Sequence, residues 1–302
     1  MVGLGSIAPY FVRALDAHPD TSLAAVCDVS MSARARYSRY GVPVFADVAD
    51  LLRADVVDAV VLTLPNNMHY PVAAAALRHG VPVCCEKPLT ITPGDAANLV
   101  ALSHATHTVL FTAFHRRYNE NLRALSAGLR RAGPIARVNC RYLENIGEHT
   151  GGDAWYFDRE RCGGGCVIDN GPNALDAVRS LFGQLQLTDA TLSDVRNGVE
   201  FKAWLRLRTQ AGVPVDVELD WALPSGEVKE VAVTLEDGRT VVGDMLAGFP
   251  GFKHSLAHEY AGIVTDFAAA VHTGGVHGEE GASIVELVDE AYRISGQSQP
   301  PP

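Results

Sequence analysis

Short, unbroken apolar runs alternate with amphipathic stretches over roughly the first hundred residues of this chain. Such runs, which do not alternate apolar with polar residues, are typical of parallel strands that are covered on both faces. They are Leu23–Asp28, Val56–Leu64, Val81–Glu86 and Thr108–Ala113. The stretches between them have apolar residues at three- and four-residue spacing and predict helices over Ala8–His18, Ser32–Tyr40, His69–His79 and Pro93–His104. This succession predicts βαβ units around a parallel sheet.

Beyond Tyr118 the pattern changes to alternating apolar and polar residues, which is typical of antiparallel strands with one covered face. The alternating segments are Ala136–Leu143, Leu185–Ser193, Glu200–Thr209, Pro214–Trp221 and Val228–Leu235. Helices are predicted near Asn173–Leu181, after a glycine-rich turn, and over Tyr260–His272, as the last helix. Because 302 residues exceed what one hydrophobic core usually serves, two domains are expected.

The composition excludes several classes of partner. A formal net charge of -10 and a pI near 5.5 leave no basic surface for nucleic acid or an anionic membrane. No apolar run reaches the roughly 18 residues that span a bilayer. Six thinly spread cysteines and the lack of a secretory leader pattern predict reduced thiols and a cytoplasmic location. Cys162 and Cys166 have no second pair at zinc-site spacing, so no metal is expected.

A glycine pattern opens the first predicted helix. The segment Gly3, Leu4, Gly5, Ser6, Ile7, Ala8 reads G-x-G-x-x-A, and Asp28 ends the next strand 23 residues after Gly5. In a dinucleotide site such glycines admit the pyrophosphate to the helix N-terminus, and the acidic residue accepts the ribose hydroxyls. A carboxylate there repels a 2'-phosphate, so NAD is expected, with NADP possible because Arg34 and Arg36 follow. By itself, a glycine pattern equally marks a structural turn.

The alternation of strands and helices, together with this motif, predicts an α/β fold class. An N-terminal Rossmann dinucleotide-binding domain is expected over residues 1–118, and a C-terminal α+β domain with an open, largely antiparallel sheet over residues 119–302. Only Met1 and Val2 precede Gly3, whereas a strand usually has about five residues. The first strand is therefore expected to be clipped, either because the given start lies inside the natural protein or because this strand is unusually short.

Polar turns follow two of the predicted parallel strands. Pro65 to His69 (PNNMH) follows one, and Glu86 to Pro88 (EKP) follows the next. The carboxyl ends of parallel strands meet at one edge of the sheet, where ligands bind. An ammonium at Lys87 could polarise a carbonyl or stabilise an alkoxide during hydride transfer. The alternative is an ordinary solvated lysine.

Together, the GLGSIA, PNNMH, EKP and GGGCVIDNGPNALD segments resemble the Gfo/Idh/MocA (glucose-fructose oxidoreductase and inositol dehydrogenase) family over nearly the whole chain. The resemblance implies hydride transfer to or from a sugar, cyclitol or similar polyol, and a C-terminal sheet that mediates assembly, here into a homodimer or homotetramer. It also makes Lys87 the catalytic lysine, places Pro65, Asn66 and His69 along the cofactor, and gives Glu86 a part in shaping the pocket.

One position departs from the family pattern G-G-G-x-x-x-D-x-G-x-H-x-x-D. The three glycines, Asp169, Gly171 and Asp176 match, but the histidine is replaced by Asn173. An amide cannot transfer a proton near neutral pH, although it can hydrogen-bond a substrate hydroxyl. The acid or base is then Lys87, Asp169 or a neighbour. Asp169 could instead be a helix cap.

Three further residues are candidates for binding the substrate: Arg117, His149 and Tyr156. They lie in segments rich in aromatic and polar side chains, which suit a sugar-like ligand because rings stack on its C–H faces. Packing of the aromatic side chain and solvation of the arginine are the alternatives.

Three functions remain open from the sequence. The first is an NAD(P)-dependent dehydrogenase or ketoreductase. The second is a cofactor-retaining epimerase, eliminase or glycosidase that uses a transient oxidation. The third is a non-catalytic NAD(P)-binding regulator, which Lys87 disfavours because a pure binder does not need an ammonium there.

Overall fold

A computed structural model describes residues 1–150 and 152–297 of the chain. These residues form two compact units. The first contains Met1–Ala113 and Tyr260–Val285, and the second contains Phe114–Glu259 and the chain from Glu286 onward. Within the described ranges, no helix is both long and apolar enough to cross a membrane.

The first unit is built on parallel strands. They are β1 (Val26–Cys27), β2 (Val44–Phe45), β3 (Val60–Leu62), β4 (Val83–Glu86) and β5 (Leu110–Ala113). β1 pairs with β2, and β3, β4 and β5 pair in that order. Val2 joins the two sets, because it forms parallel bridges to both Cys27 and Leu62. A single residue therefore stands where a Rossmann sheet has its first strand.

Five helices connect these strands: α1 (Ala8–Ala17), α2 (Met31–Tyr37), α3 (Val48–Arg53), α4 (His69–Arg78) and α5 (Pro93–Thr106). Their starts follow local rules. Ser30 caps α2, and Thr92 caps α5 by accepting the N–H of Asp95, with Pro93 at the first helical position. The apolar runs of the strands form the core of the unit, with Leu62, Val83 and Leu110 almost completely buried. The predicted parallel-sheet architecture is confirmed.

The second unit is built on a six-stranded sheet of order β11-β10-β6-β9-β8-β7. The strands are β6 (Ile135–Asn145), β7 (Leu185–Arg196), β8 (Val199–Thr209), β9 (Pro214–Asp220), β10 (Ala222–Leu235) and β11 (Thr240–Asp244). Its helices between residues 114 and 182 are α6 (Glu120–Leu129), α7 (Arg159–Cys162) and α8 (Cys166–Phe182). Only the β6–β9 pair is parallel, so the expectation of a largely antiparallel sheet is confirmed.

The two faces of this sheet differ. Helix α8 packs on β6, β8 and β9, and the covered face carries alternate residues such as Ala203, Leu205 and Leu207 of β8. Trp204 lies between them on the opposite face and is 50% exposed. One face of the sheet is therefore left without a helix over β8.

Two long helices complete the described chain, α9 (Phe252–Thr273) and α10 (Glu279–Ile294). The prediction that the last helix spans Tyr260–His272 was therefore wrong. Helix α9 begins earlier, and α10 follows it. The signal for α10 was present, because Ile284, Val288 and Ala291 are buried at helical spacing.

Candidate active site

The glycine turn of the first unit depends on the absence of one side chain. Gly3 has a φ of +85°, and a Cβ there would lie 2.4 Å from the backbone oxygen of Thr63. The Thr63 hydroxyl donates a hydrogen bond of 2.8 Å to the Gly3 carbonyl. Gly5 is exposed, and a Cβ added to it would meet nothing within 4 Å. A ligand can therefore approach the backbone at Gly5 closely.

The N-terminus of α1 follows this turn. Ile7 occupies the N-cap position and provides no side-chain hydrogen bond, while Ser6 is exposed and Ala8 is buried against the unit. The first N–H groups of a helix have no partner within the helix, so an uncapped start suits an anionic group. Together with the open space at Gly5, this geometry fits the pyrophosphate of a dinucleotide.

Asp28 lies directly beside the glycine turn. One carboxylate oxygen accepts the N–H of Leu4 at 2.7 Å, and the other accepts the N–H of Ser30 at 2.7 Å. Arg34 donates to the carbonyl oxygen of Asp28, and Arg36 donates to that of Leu4. Each carboxylate oxygen keeps a second lone pair for a ribose hydroxyl.

The EKP turn is held by buried polar contacts. Glu86 is 7% exposed, and its carboxylate accepts the Tyr260 hydroxyl at 2.7 Å and the backbone N–H of Lys87 at 3.1 Å. Lys87 is half-buried and precedes a cis peptide bond to Pro88. The fixed carboxylate therefore sets where the Lys87 backbone leaves β4.

His69 connects this turn to the end of β3. Its ring is fully buried, with Nδ1 2.7 Å from the Pro88 carbonyl oxygen and Nε2 2.9 Å from that of Leu64. Burial lowers the pKa of His69, and the Lys87 charge lowers it further. Pro65 and the buried Asn66 begin the short helical turn before it. The two ring nitrogens of His69 therefore connect the PNNMH turn to the EKP turn.

In the second unit, α8 begins earlier than predicted. Glu200 of β8 accepts the N–H groups of Gly165 and Val167, at 2.9 and 3.1 Å, and the Tyr292 hydroxyl at 2.7 Å. Burial raises the pKa of Glu200 in spite of these bonds. A Cβ on Gly165 would lie 2.0 Å from the Glu200 carbonyl oxygen. Asp169 lies half-buried in the first turn of α8, whose N-cap position is occupied by Gly165.

Asn173 follows Asp169 by four residues and therefore lies on the same face of α8. Its side chain is 3% exposed. Within the described part of the chain, its Oδ1 accepts no hydrogen bond. A buried acceptor of this kind costs free energy unless a donor reaches it, which a substrate hydroxyl could do.

Two of the remaining substrate-binding candidates, Arg117 and Tyr156, contact neighbouring side chains. Arg117 donates to the fully buried Asp176 through Nε, at 3.1 Å, and through Nη2. Tyr156 stacks on Trp155 with ring centroids 4.0 Å apart.

The third predicted substrate residue, His149, lies in a cluster that the sequence analysis missed. Its Nε2 is near the carboxylates of Glu144 and Glu227, and the Lys229 ammonium contacts both carboxylates. The sequence pattern of β10 indicates that Lys229 is buried, because this lysine occupies the same alternate positions as the buried Val231 and Val233.

Two family models match the chain. Residues 1–114 match the oxidoreductase family with an NAD-binding Rossmann fold, and residues 129–241 match the GFO/IDH/MocA C-terminal domain. The chain belongs to the Gfo/Idh/MocA oxidoreductase family. It is accordingly an NAD(P)-dependent oxidoreductase, and the glycine turn of its first unit is the start of the NAD-binding fold.

This Gfo/Idh/MocA oxidoreductase is similar to two curated dehydrogenases over most of its length. It is 28% identical to D-xylose 1-dehydrogenase (NADP(+)) 2 of Haloferax volcanii, over 96% of this chain and 93% of that protein. It is 24% identical to inositol 2-dehydrogenase of Corynebacterium glutamicum, over 89% of this chain and 78% of that protein. The crystal structure of GenD2 from gentamicin A biosynthesis in complex with NAD superposes with a TM-score of 0.87 at 23% identity, covering 98% of this chain and 93% of that chain.

Proposed function

We propose that this oxidoreductase moves a hydride between a nicotinamide dinucleotide and a carbon of a sugar, cyclitol or similar polyol or ketone. The observation that carries the proposal is Lys87, a half-buried ammonium at the carboxyl end of β4, in a turn held by the buried Glu86 and His69. The dehydrogenases of D-xylose and inositol among its relatives support the substrate class.

The first unit holds the cofactor in this proposal. The turn and helix start at Gly3, Gly5, Ser6, Ile7 and Ala8 bind the pyrophosphate, and Asp28 binds the ribose. Residues at the ends of β3 and β4 shape the rest of the pocket: Pro65, Asn66, His69, Glu86 and Lys87. NAD is preferred over NADP because of the Asp28 charge. When bound, the nicotinamide supplies or accepts the hydride.

The side chains divide the remaining work. The Lys87 ammonium donates a hydrogen bond to the reacting oxygen and stabilises the negative charge that develops there. Asn173 accepts a hydrogen bond from a substrate hydroxyl through Oδ1. Asp169, on the same face of α8, takes part in proton transfer. Tyr156 and Arg117 border the sugar-like ligand together with His149.

In this proposal the first unit binds the dinucleotide, and the second unit binds the substrate and associates with a second copy; the two family matches support this division. The uncovered face of the sheet around Trp204 supports a homodimer or homotetramer. The six buried cysteines suit a reducing compartment, so we place the protein in the cytoplasm.

Substitution of Lys87 tests this function. A panel of D-xylose, D-glucose, myo-inositol and their ketones is offered to the protein with NAD(H) and NADP(H), and absorbance of the reduced cofactor is followed. Lys87→Met should lower kcat about 10²-fold or more because the charge at the reacting oxygen is lost, while cofactor binding survives. Lys253→Met, at an exposed lysine, is the matched control.

Asn173→Ala should affect substrate binding and not the rate of turnover. Loss of one neutral hydrogen bond should raise KM by roughly tenfold at most and leave kcat nearly unchanged. Near-normal kcat in Lys87→Met would show that the catalytic group lies elsewhere. Turnover without net reduction would point to a cofactor-retaining reaction, and cofactor binding with no turnover at all would point to a regulator.

A further inference from the structure

Tyr260 is a buried residue of the first unit to which the sequence analysis gave no role. It lies in α9 and is 2% exposed. Its hydroxyl donates a hydrogen bond of 2.7 Å to Oε1 of Glu86, the first residue of the EKP turn. Burying a hydroxyl without a partner costs free energy, so a tyrosine in a core normally finds one. Here the partner is itself a buried carboxylate.

The ring of Tyr260 lies against helix α1. Its centroid is 4.7 Å from that of Phe11, with the two planes at 77°, and 5.9 Å from that of Tyr10, with the planes at 29°. Edge-to-face and stacked arrangements of this kind are favoured for aromatic pairs. Because α1 begins directly after the glycine turn, Tyr260 packs on the helix that we assign to the pyrophosphate.

Glu86 connects Tyr260 to Lys87. One oxygen of its carboxylate accepts the Tyr260 hydroxyl, and the other accepts the backbone N–H of Lys87 at 3.1 Å. Glu86 is the last residue of β4 and pairs with Ala113 of β5. Its backbone is therefore held by the sheet, and its side chain is held by a donor at each oxygen. The orientation of this carboxylate then fixes the direction in which the Lys87 backbone leaves the strand.

Packing alone does not require a hydroxyl on Tyr260. Phe11 shows that a phenyl ring suits this core, since it is fully buried and packs directly on Tyr260. A phenylalanine in place of Tyr260 would keep both ring contacts and remove one donor from Glu86. A buried carboxylate that loses a hydrogen bond is less stable in its position. The hydroxyl therefore acts on the carboxylate, whereas the ring alone accounts for the packing.

We propose that Tyr260 is a positioning residue for Lys87: its hydroxyl fixes Glu86, and its ring ties the EKP turn to α1. The inference rests on the proposed function, which makes Lys87 the catalytic lysine. All the residues of this chain of contacts belong to the first unit. Tyr260 acts through Glu86 and makes or breaks no bond. Its effect is on geometry, where displacement of a catalytic group by about 1 Å can cost on the order of 10²-fold in rate.

The first test is Tyr260→Phe in the full chain, with NAD(H) and the best polyol of the panel. The variant keeps the ring and removes the hydroxyl, so kcat should fall about tenfold, while KM for cofactor and for substrate should change by less than about twofold. Tyr10→Phe is the matched control, because it removes a hydroxyl from a ring that stacks on Tyr260, and it should leave kcat unchanged. Normal kcat in Tyr260→Phe would overturn the proposal.

A double-mutant cycle identifies the residue through which Tyr260 acts. Glu86→Ala removes the carboxylate that links Tyr260 to Lys87. In the Glu86→Ala background, Tyr260→Phe should change kcat by less than about twofold, because the hydroxyl has no carboxylate left to fix. Equal losses of kcat in the two backgrounds would show that Tyr260 acts independently of Glu86, which contradicts the proposal.

The backbone amide of Lys87 gives a readout that needs no turnover. Lysine labelled with ¹⁵N gives few amide signals, because the chain has only Lys87, Lys202, Lys229 and Lys253. The Lys87 signal is the one that is absent from Lys87→Met. Since this N–H donates to the carboxylate that Tyr260 holds, its hydrogen exchange should be about tenfold faster in Tyr260→Phe. It should be unchanged in Tyr10→Phe.

The two readouts separate this inference from the proposed function. Silence of the unmodified protein on every polyol and ketone would remove the proposed function, and hydrogen exchange at Lys87 would then decide whether Tyr260 holds the EKP turn. Unchanged exchange at Lys87 in Tyr260→Phe would overturn the role of Tyr260, whatever the activity of the enzyme. Faster exchange together with the loss of kcat supports it.

Discussion

Glu259 accepts three hydrogen bonds from cationic and amide groups while fully shielded from water. His115 and Arg116 donate to it, the latter at 2.9 Å, and Asn119 donates at 2.7 Å. Burial by itself would raise the pKa of Glu259, but Arg116 and the other partners lower it from 4.5 to about 2. The partners come from the HRRYN segment, so one carboxylate fixes the chain immediately after β5.

This carboxylate should make the stability of the second unit depend on acid. A depressed folded-state pKa contributes stability that is present above pH 4.5 and is lost as the pH falls toward about 2. The loss amounts to about 3 kcal/mol. Urea unfolding, followed by tryptophan fluorescence, checks this, since all three tryptophans lie in the second unit.

Glu259→Gln should lose that part of the pH dependence and, at pH 7, cost about 3–5 kcal/mol because Arg116 is left buried without its counter-charge. Glu236→Gln, at an exposed position, is the control. Equal pH slopes in the two variants would show that Glu259 does not carry the effect.

Asp28 gives a second prediction at the level of one residue. We expect NADH to bind more tightly than NADPH because the carboxylate repels the 2'-phosphate. Asp28→Ser should narrow the difference by roughly tenfold, the effect of removing one repulsive contact of about 1.4 kcal/mol. Titration by cofactor fluorescence measures both. Tighter binding of NADPH by the unmodified protein would mean that Arg34 and Arg36 outweigh Asp28.

At the scale of elements, apolar periodicity predicted those strands and helices whose buried residues follow one another closely in the sequence. Strands β3 to β5 and helices α4 and α5 were predicted to within a few residues because their apolar patterns are unbroken. The start of α8 was missed for two reasons. Glu200, which accepts the first N–H groups of the helix, lies far along the chain. Gly171 and Pro172, which are poor helix formers, lie inside the helix. Long-range caps have no local signature.

The same reasoning explains what was found of the candidate site. The sequence identified Lys87 and Asp28 as candidate site residues because short motifs place them at the ends of predicted strands. The pairing of Glu144 with Lys229 depends on the register of β6 and β10, which no local pattern determines. Each of these two residues alternates along its strand in step with buried neighbours, and that pattern could have identified each one as a buried charge.

The capped start of α8 can be tested through Gly165. A Cβ there would clash with the Glu200 carbonyl oxygen, so Gly165→Ala should displace β8 from the helix and destabilise the second unit by about 1–3 kcal/mol. Gly128→Ala is the control in helix α6, where a Cβ meets nothing within 4 Å, and it should be neutral or stabilising by up to about 1 kcal/mol. Urea unfolding read by tryptophan fluorescence measures both, and equal stability of the two variants would contradict the close approach.

At the scale of the whole molecule, the uncovered face of the six-stranded sheet carries the expectation of assembly. Trp204 is half exposed there, with Thr191 and Glu218 beside it on the neighbouring strands. Large exposed aromatic side chains are enriched at interfaces between proteins.

We expect static light scattering to give a dimer or tetramer at micromolar concentration. Trp204→Arg should shift the protein toward smaller species because a charge would be buried at the interface. Val56→Arg, at an exposed valine of the first unit, should not. A stable monomer of the unmodified protein would remove the proposed assembly.

The first unit is assembled from two separate stretches of chain, and this has a consequence for its biosynthesis. Val285 belongs to its core, and the N–H of Leu110 donates to the carbonyl oxygen of Val276. Both late residues leave the ribosome after the whole six-stranded sheet has been made. The nascent chain therefore cannot complete the core of its first unit in order of synthesis, because that core waits for the segment Tyr260–Val285, which is made after the six-stranded sheet.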